Sequence, residues 1–148
     1  MDEITHLRQL GLKATLPRLK VLEILRHGPR RHLSAEELHR ELLRVDADVG
    51  LATVYRVLGQ LEQAGIVVRR NFDTGPAVYE IDLGEHHDHL VCVRCGRVDE
   101  FEDRAIEARQ QAVAEARGFR LTEHRLALYG RCRNWQSASV NRPPAPSP

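Results

Sequence analysis

Residues 50–67 read GLATVYRVLGQLEQAGIV, and this stretch decides the fold of the first half of the chain. Apolar side chains recur at i, i+3, i+7 and i+10, the spacing of an amphipathic helix, in the order Leu51, Val54, Leu58 and Leu61. Gly65 follows as a C-terminal stop, so the predicted helix covers residues 51–64. The outward face of this helix carries Thr53, Tyr55, Arg56 and Gln60.

The residues on either side of this helix predict a winged helix. Ser34 and Glu37 form a capping box, the S-x-x-E pattern that opens a helix, and a polar turn follows that helix. A helix, a short turn and a second helix are typical of a helix-turn-helix. Two short strands are predicted next, over residues 66–71 and 77–83. An ordinary three-helix domain with a hairpin has the same periodicity, but the exposed Tyr55–Arg56 pair favours DNA reading.

Two further helices are predicted before the capping box. The first covers residues 2–10 and ends at Gly11, and the second begins at the cap residue Thr15 and ends at Gly28-Pro29. Residues 13–31 contain six lysines and arginines but only one acidic residue, in a chain whose formal net charge is only +1. Such a basic surface gives weak support for nucleic-acid binding by itself.

The composition bounds the class of protein. A chain of 148 residues forms one domain or two small ones. It holds no apolar run near the ~18 residues of a membrane span and no signal sequence, which predicts a soluble, cytoplasmic protein without a membrane partner. Three cysteines are a sparse and odd set, which argues against a secreted disulfide scaffold.

Residues 86–95, HHDHLVCVRC, concentrate metal-ligating side chains. On a strand, successive side chains point to opposite faces, so His86 and Asp88 would point one way and His87 and His89 the other. One segment can therefore serve two metal sites. The CxxC that follows holds two thiolates across a tight turn, the usual first half of a zinc site.

The residues around this segment predict a small second domain. Residues 90–93 and 98–101 are predicted to form a hairpin, and residues 119–131 one long strand whose alternation breaks near Glu123-His124. A helix over residues 103–117 joins them, with its inward face at Ile106, Val113 and Ala116. A unit of about 50 residues with few large apolar groups is marginal alone, so a subunit partner, a metal or both are expected. Residues 136–148, rich in proline and serine, are expected to be disordered.

Three stretches together resemble the ferric uptake regulator (Fur) family of bacterial metal-dependent repressors. They are HHDHLVCVRCGRVDEF, GLATVYRVLGQLEQAGIV and LTEHRLALYGRC, and the likeness runs from about residue 15 to residue 132. The resemblance implies an α+β fold, with an N-terminal winged-helix DNA-binding domain over residues 1–83. A small α/β dimerisation and metal-binding domain over residues 84–135 follows. It also implies a homodimer, with pairing of dimers into tetramers left open.

The resemblance implies an Fe(II)-responsive repressor of iron-uptake genes, with one metal site that regulates DNA binding. The regulatory ligands of the family match His32, Glu80, His89 and Glu100, with His87 close by. Two of these residues precede the domain boundary and three follow it, so one ion held by them would fix the angle between the halves. Imidazole and carboxylate ligands suit Fe(II), and also Mn(II), Co(II) and Zn(II).

Two further metal sites are implied by the same resemblance. The second matches His86, Asp88, Glu107 and His124, all in the C-terminal half. The third is a structural zinc site held by two pairs of cysteines, of which only Cys92, Cys95 and Cys132 are present. Three thiolates can hold Zn(II) with a water, a remote histidine or a backbone group as fourth ligand, or they can stay as reduced thiols.

The resemblance also assigns residues to double-stranded DNA with an A·T-rich palindromic operator. The helix over residues 51–64 would enter the major groove, where Tyr55 contacts thymine methyl groups, Arg56 a phosphate and Thr53 the groove edge. Lys13 matches a position that enters the adjacent minor groove, where narrow A·T-rich DNA attracts a cation. Arg18 would add a phosphate contact.

Three alternatives accompany this hypothesis. A peroxide sensor of the same family prefers aspartates where Glu80 and Glu100 stand, and a zinc sensor usually brings a cysteine into the regulatory site. An enzyme is the alternative of a different class, either a metal-dependent hydrolase or a dithiol that exchanges disulfides. The metal sites leave no obvious open position or general base, and no βαβ unit surrounds the CxxC. We therefore expect no catalytic residues.

Overall fold

Four helices and a two-stranded antiparallel sheet build the first unit of the chain. The computed structural model describes residues 2–73 and 75–136, and the chain divides into two units between Gly84 and Glu85. The predicted boundary fell between residues 83 and 84. The elements of the first unit, in order, are α1 (Glu3–Gln9), α2 (Leu16–His27), α3 (Ala35–Arg44), α4 (Leu51–Gln63), β1 (Val67–Arg70) and β2 (Val78–Ile81).

Local signals in the sequence set where the helices begin. The Ser34 hydroxyl accepts a hydrogen bond from the Glu37 backbone N–H, and the Glu37 carboxylate accepts one from the Ser34 N–H at 2.8 Å, so the predicted capping box is present. Asp2 caps α1 by accepting from the Thr5 N–H at 2.7 Å. Thr15 occupies the N-cap of α2, but its side chain makes no capping bond to the described residues.

The core of the first unit lies among α2, α3 and α4. Among its fully buried side chains are Leu22, Leu38, Leu42, Val54, Leu58 and Leu61. Leu51, which the periodicity placed on the inward stripe, is 36% exposed because it lies in the first turn of α4, and Val57 is buried instead. Gly65 adopts a φ of 74° directly after α4, a conformation that favours glycine and turns the chain into β1.

The wing of the winged helix is the β1–β2 hairpin. Val67 pairs with Ile81 and Arg70 with Val78, so both strands are shorter than the sequence predicted. An isolated antiparallel bridge adds a third segment to this sheet: the Tyr79 N–H donates to the Leu33 carbonyl at 2.8 Å, and the Leu33 N–H donates back at 3.2 Å. This bridge brings His32, which precedes Leu33, beside Glu80, which follows Tyr79.

A three-stranded mixed sheet forms the second unit. Its elements are β3 (Asp88–Cys92), β4 (Val98–Phe101), α5 (Arg104–Ala116), β5 (Ala127–Gly130) and α6 (Arg133–Gln136). The strand order is β4-β3-β5, with β3 antiparallel to β4 and parallel to β5. Two parallel strands require a crossover connection, and α5 supplies it. The predicted hairpin is therefore present, and β3 begins two residues earlier than expected, at the metal-ligating residues themselves.

Two predictions for the second unit are wrong. Residues 119–131 do not form one long strand: only β5 pairs with a neighbour, and Phe119 is 70% exposed. Leu126 accepts a hydrogen bond from the His89 N–H of β3, but residues 120–125 pair with no strand in the described part of the chain. A strand without a neighbour leaves its backbone groups unsatisfied. The second wrong prediction is the inward face of α5: Val113 is 42% exposed, and Ala116 is exposed as well.

The end of the chain differs from the prediction at one residue. Gln136, the first residue of the predicted disordered tail, ends α6, and residues 137–148 lie outside the described residues. Among the helices that the structure describes, none is long and apolar enough to cross a membrane.

The core packing predicts unequal effects for two leucines on neighbouring helices. Leu58→Ala removes a fully buried side chain and should lower the free energy of unfolding by about 2–5 kcal/mol. Leu43→Ala, at a position that is 56% exposed, is the matched control and should change it by less than about 0.5 kcal/mol. Urea unfolding in excess chelator, followed by circular dichroism, measures both. Equal midpoints for the two variants would place Leu58 outside the core.

Candidate metal centres and reading helix

Four potential metal ligands converge within the second unit. They come from the start of β3, from α5 and from the segment before β5, and their ligand atoms lie within 4.8 Å of one another: His86, Asp88, Glu107 and His124. The Asp88 Oδ1 atom is 3.2 Å from His86 Nε2 and 4.0 Å from His124 Nε2. The two imidazole rings meet edge to face, with centroids 4.1 Å apart. This is the set that the family resemblance implied for a second metal site.

Buried atoms in this cluster fit a divalent cation. Both carboxylate oxygens of Asp88, Oε1 of Glu107 and Nε2 of His124 are buried and have no hydrogen-bond partner among the described residues. A buried carboxylate without a compensating charge or donor is costly. A cation among these atoms would satisfy them together, and mixed nitrogen and oxygen ligands suit Fe(II), Mn(II), Co(II) or Zn(II). The donor set therefore fits a metal.

Two of the predicted regulatory ligands meet within the first unit. Glu80 on β2 is buried, and its carboxylate contacts His32 Nε2 on one oxygen and accepts a hydrogen bond from Arg70 Nε on the other at 2.8 Å. The backbone bridge between Leu33 and Tyr79 produces this arrangement, because His32 and Glu80 flank it. Arg70 was not among the residues expected from the sequence, since no local pattern links it to Glu80.

The other predicted regulatory ligands meet within the second unit. His89 lies opposite Glu100 in the β3–β4 register, and His87 Nε2 is 3.5 Å from Glu100 Oε1. The rings of His87 and His89 have centroids 4.8 Å apart. His87 and His89 thus belong to a different cluster from His86 and Asp88, in agreement with the strand alternation.

The three cysteines of the chain also lie together in the second unit. Cys92 ends β3, Cys95 lies in the turn before β4, and Cys132 follows β5, with all three Sγ atoms within 4.8 Å of one another. The Sγ atoms of Cys95 and Cys132 are 3.7 Å apart, and none of the three cysteines forms a disulfide. Within the described residues no histidine or carboxylate joins this group.

Backbone donors favour the thiolate at Cys92. Burial raises the pKa of its thiol, but hydrogen bonds from the backbone of Cys132, Cys95 and Arg94 outweigh burial and lower that pKa to about 6. The Cys132 N–H lies 3.4 Å from the Cys92 sulfur. Burial and the neighbouring thiols act the other way at Cys95 and raise its pKa. A thiolate is the form that binds metal, so Cys92 is mostly in its metal-binding form at neutral pH.

Hydrogen bonds hold the expected DNA contacts in place on the first unit. Arg18 donates to the Lys13 carbonyl and to the Gln60 side chain, both at 2.7 Å, and so ties the segment before α2 to α4. Arg56 Nη2 lies 3.4 Å from the Thr53 hydroxyl on the outward face of α4. These residues therefore share one surface of the winged helix.

Tyr55 has a partner that sequence reasoning missed. Its hydroxyl donates to Glu36 Oε1 on α3 at 2.5 Å, although the ring is exposed. This hydrogen bond raises the pKa of Tyr55 and lowers the pKa of the Glu36 carboxyl. Glu36 lies in the first turn of α3, where an acidic residue is common for its effect on the helix dipole, so the sequence carried no signal for this contact.

Comparison with known proteins decides the family. Residues 9–129 match the ferric uptake regulator family. The chain belongs to that family. It is 60% identical over 132 residues to the ferric uptake regulation protein of Cupriavidus metallidurans, in an alignment that covers 89% of this chain and 92% of the relative.

Solved structures of the Fur family share the fold. The ferric uptake regulator of Vibrio cholerae superposes with a TM-score of 0.79 at 50% identity, over 88% of this chain and all 100% of that one. The regulator of Pseudomonas aeruginosa, solved with manganese, gives a TM-score of 0.69 at 51% identity, over 90% and 99% of the two chains.

These matches confirm the fold class expected from the sequence, a winged-helix DNA-binding domain followed by a small α/β dimerisation domain. Fur family proteins are metal-responsive transcription regulators that bind DNA and act as dimers. The chain is accordingly a transcription regulator, and the enzyme alternatives do not apply.

The buried carboxylate of the second cluster predicts a metal-dependent stability. Asp88→Asn removes a buried charge and should leave the chelated protein about as stable as the wild type, or more stable. Added Co(II) should raise the unfolding temperature of the wild type clearly more than that of the variant, because an ion at 100 times its Kd contributes about 2.7 kcal/mol. Calorimetry with and without metal checks this.

The matched control is Asp48→Asn, which changes an exposed aspartate in the other unit. It should keep the full response to Co(II). If Asp88→Asn responds to metal as strongly as this control does, the cluster around Asp88 does not bind the ion.

Proposed function

We propose that this protein is an Fe(II)-responsive repressor of iron-uptake genes in which metal binding favours the DNA-binding form of a homodimer. The regulatory ligands in this proposal are His32, Glu80, His87, His89 and Glu100. The observation that carries it is that Glu80, a buried carboxylate, lies on the wing of the DNA-reading unit against the His32 imidazole. An ion that also binds His87, His89 and Glu100 would couple metal binding to the orientation in which the DNA-reading unit meets DNA.

The chemistry of the five residues supports iron as the corepressor. When bound, a divalent ion supplies positive charge to two carboxylates and three imidazoles, a borderline-to-hard donor set that Fe(II) shares with Mn(II), Co(II) and Zn(II). Arg70 holds one oxygen of Glu80 and thereby orients the other. The glutamates at positions 80 and 100 favour iron sensing over peroxide sensing, and the set contains no cysteine of the kind that zinc sensors use.

The second cluster has a different role in this proposal. Asp88 and its neighbours lie wholly within the dimerisation unit, so a metal there would stabilise that unit without acting on the DNA-reading unit. Glu107 belongs to α5 and His124 to the segment before β5, and an ion shared with β3 would join these three parts of a small unit. Small units with limited cores commonly need such a metal or a partner.

Exposed apolar groups on the second unit support the homodimer. Val113 on α5 and Phe119 just beyond it are exposed, and residues 120–125 pair with no strand in the described part of the chain. We infer that a second copy covers this surface and pairs with this segment, which would supply backbone hydrogen bonds to residues 120–125. Association of such dimers into tetramers is not part of the proposal.

The reading surface of the first unit supports binding to an A·T-rich palindrome in double-stranded DNA. In the proposed complex α4 enters the major groove with Thr53, Tyr55 and Arg56, and Lys13 reaches the minor groove beside it. Arg18 holds the Lys13 backbone and α4 together, so both contacts are presented as one rigid surface. When Tyr55 contacts a base, its hydroxyl either keeps its hydrogen bond to Glu36 or replaces it with one to the DNA.

The free energy required of the metal can be bounded. To shift a dimer from 1% to 99% of the DNA-binding form, the ion must favour that form by roughly 5.5 kcal/mol. Direct ligands from two units can supply such a difference, because an ion that loses its ligands from one unit loses most of its affinity. The test is an oxygen-free binding assay with an A·T-rich palindrome, in which tight binding should require Fe(II) or Mn(II).

Two histidine variants separate the regulatory site from the second site. His89→Ala removes a proposed regulatory ligand and should abolish metal-dependent DNA binding while the dimer persists. His124→Ala removes a ligand confined to the second cluster, so DNA binding should survive at a higher Mn(II) concentration. DNA affinity measured against free Mn(II) reports both, with His27→Ala, an exposed position, as control. The opposite pattern would mean that the two sites have been exchanged.

Two variants on α4 test the reading surface. Tyr55→Ala should weaken specific DNA binding by about 1–3 kcal/mol, the range for one good base contact. Arg56→Ala should weaken specific and non-specific binding alike and reduce the dependence on salt, because it removes a phosphate contact. Fluorescence anisotropy at several salt concentrations measures these effects. Wild-type affinity in both variants would show that α4 does not read DNA.

A further inference from the structure

The arrangement of the three cysteines fits a tetrahedral metal with one ligand from outside the chain. Zinc binds thiolates at about 2.3 Å, so two sulfurs of a tetrahedral site lie about 3.8 Å apart. The Cys95 and Cys132 sulfurs are 3.7 Å apart, and Cys92 Sγ lies within 4.8 Å of both. No fourth histidine, cysteine or carboxylate of the described residues joins them, so three thiolates account for three of the four positions.

A cavity adjoins the cysteines. Its volume is about 630 Å³, and among its lining residues are Cys92, Cys132, Arg97, Arg131, Arg133 and Asn134. Cys95, the third sulfur ligand, is exposed. A molecule of modest size in this cavity can therefore reach the metal position without any rearrangement of the sheet.

The charges around the cavity select the kind of molecule. Three arginines and a single aspartate, Asp99, contribute to its lining, and Arg97 forms two hydrogen bonds to that aspartate at 2.9 and 2.8 Å. Zn(II) with three thiolates carries one negative charge, so the lining retains a net positive balance after that charge is offset. Arginine binds carboxylates through paired hydrogen bonds, which favours a ligand that carries carboxylate groups.

We propose that Cys92, Cys95 and Cys132 form an open three-thiolate zinc site whose fourth position takes the thiolate of a small carboxylate-bearing thiol from the arginine-lined cavity. The exchange is balanced: the bond from zinc to a water breaks, a zinc–sulfur bond forms, and the thiol proton passes to solvent. No atom is oxidised or reduced. The site shares no residue with the regulatory cluster, so this inference stands apart from the iron response.

Cobalt(II) bound to the full-length dimer tests the proposal, because only thiolate ligands give the sulfur-to-cobalt charge-transfer band in the near ultraviolet. Cobalt at the histidine clusters is silent in that band. The probes are mercaptosuccinate, which has two carboxylates, and 2-mercaptoethanol, which has none. Mercaptosuccinate should raise the band by about one-third, as three cobalt–sulfur bonds become four. It should do so at a concentration about tenfold lower than 2-mercaptoethanol.

Variants assign the effect to the site and to the cavity. Cys132→Ser should lower the band before any probe is added. The double variant Arg131→Gln/Arg133→Gln should keep the band but lose the preference for mercaptosuccinate. Arg104→Gln/Arg120→Gln, at exposed positions of the same unit, is the matched control and should retain the preference. Cobalt content after gel filtration shows that the probe has joined the metal and has not removed it.

Three results would overturn the proposal. Absence of the band would show that the three thiols do not share a metal. A band that neither probe changes at millimolar concentration would show that the fourth position is closed. Equal effects of the two probes would show that the arginines do not select a carboxylate.

Discussion

Pairing of β3 on both edges is the constraint on which the second unit depends. The strand lies between β4 and β5, so the faces of its side chains cannot rotate or slip without breaking two ladders of hydrogen bonds. Every cluster of the unit includes a residue of β3: Asp88 in one, His89 in another and Cys92 in the third. Because the side chains alternate, a five-residue strand distributes ligands among three places.

The first unit relies on an equally small feature of the backbone. Two hydrogen bonds between Leu33 and Tyr79 attach the segment before α3 to the wing. They hold His32 against Glu80, and Arg70 in β1 adds a contact to the same carboxylate. The wing, the start of the helix-turn-helix and two proposed metal ligands are thus parts of one connected arrangement, which under the proposed function would carry a change at the ligands to the residues proposed to contact DNA.

The two units differ in how much of their stability comes from buried apolar side chains. The large apolar side chains of the core are concentrated in the first unit, whereas α5 buries no side chain fully. Asp88 occupies the start of the central strand of the second unit, and its buried oxygens have no hydrogen-bond partner among the described residues. An apolar side chain of similar volume would pack there at less cost in the absence of metal. The second unit therefore derives less of its stability from apolar burial and is suited to gain stability from metals and from a second copy.

Some features of this protein follow from the sequence alone. The capping box at Ser34 and Glu37 and the glycine after α4 placed two helices to within a residue, because helix ends depend on hydrogen bonds and dihedral angles a few residues long. The CxxC turn and the alternation of residues 86–89 are equally local. The helix-turn-helix followed by two short strands then indicated the winged helix, and the long family motifs indicated the ligand sets.

Other features were decided only by the tertiary structure. The contact of Tyr55 with Glu36 and the ion pair of Arg70 with Glu80 join residues that no local pattern relates. The extent of β5 was also beyond the sequence, because alternation over residues 119–131 predicts a strand whether or not a neighbour is present to pair with it. Periodicity reports which face of a segment is apolar, but the partner that covers that face is settled only when distant parts of the chain, or a second chain, are brought together.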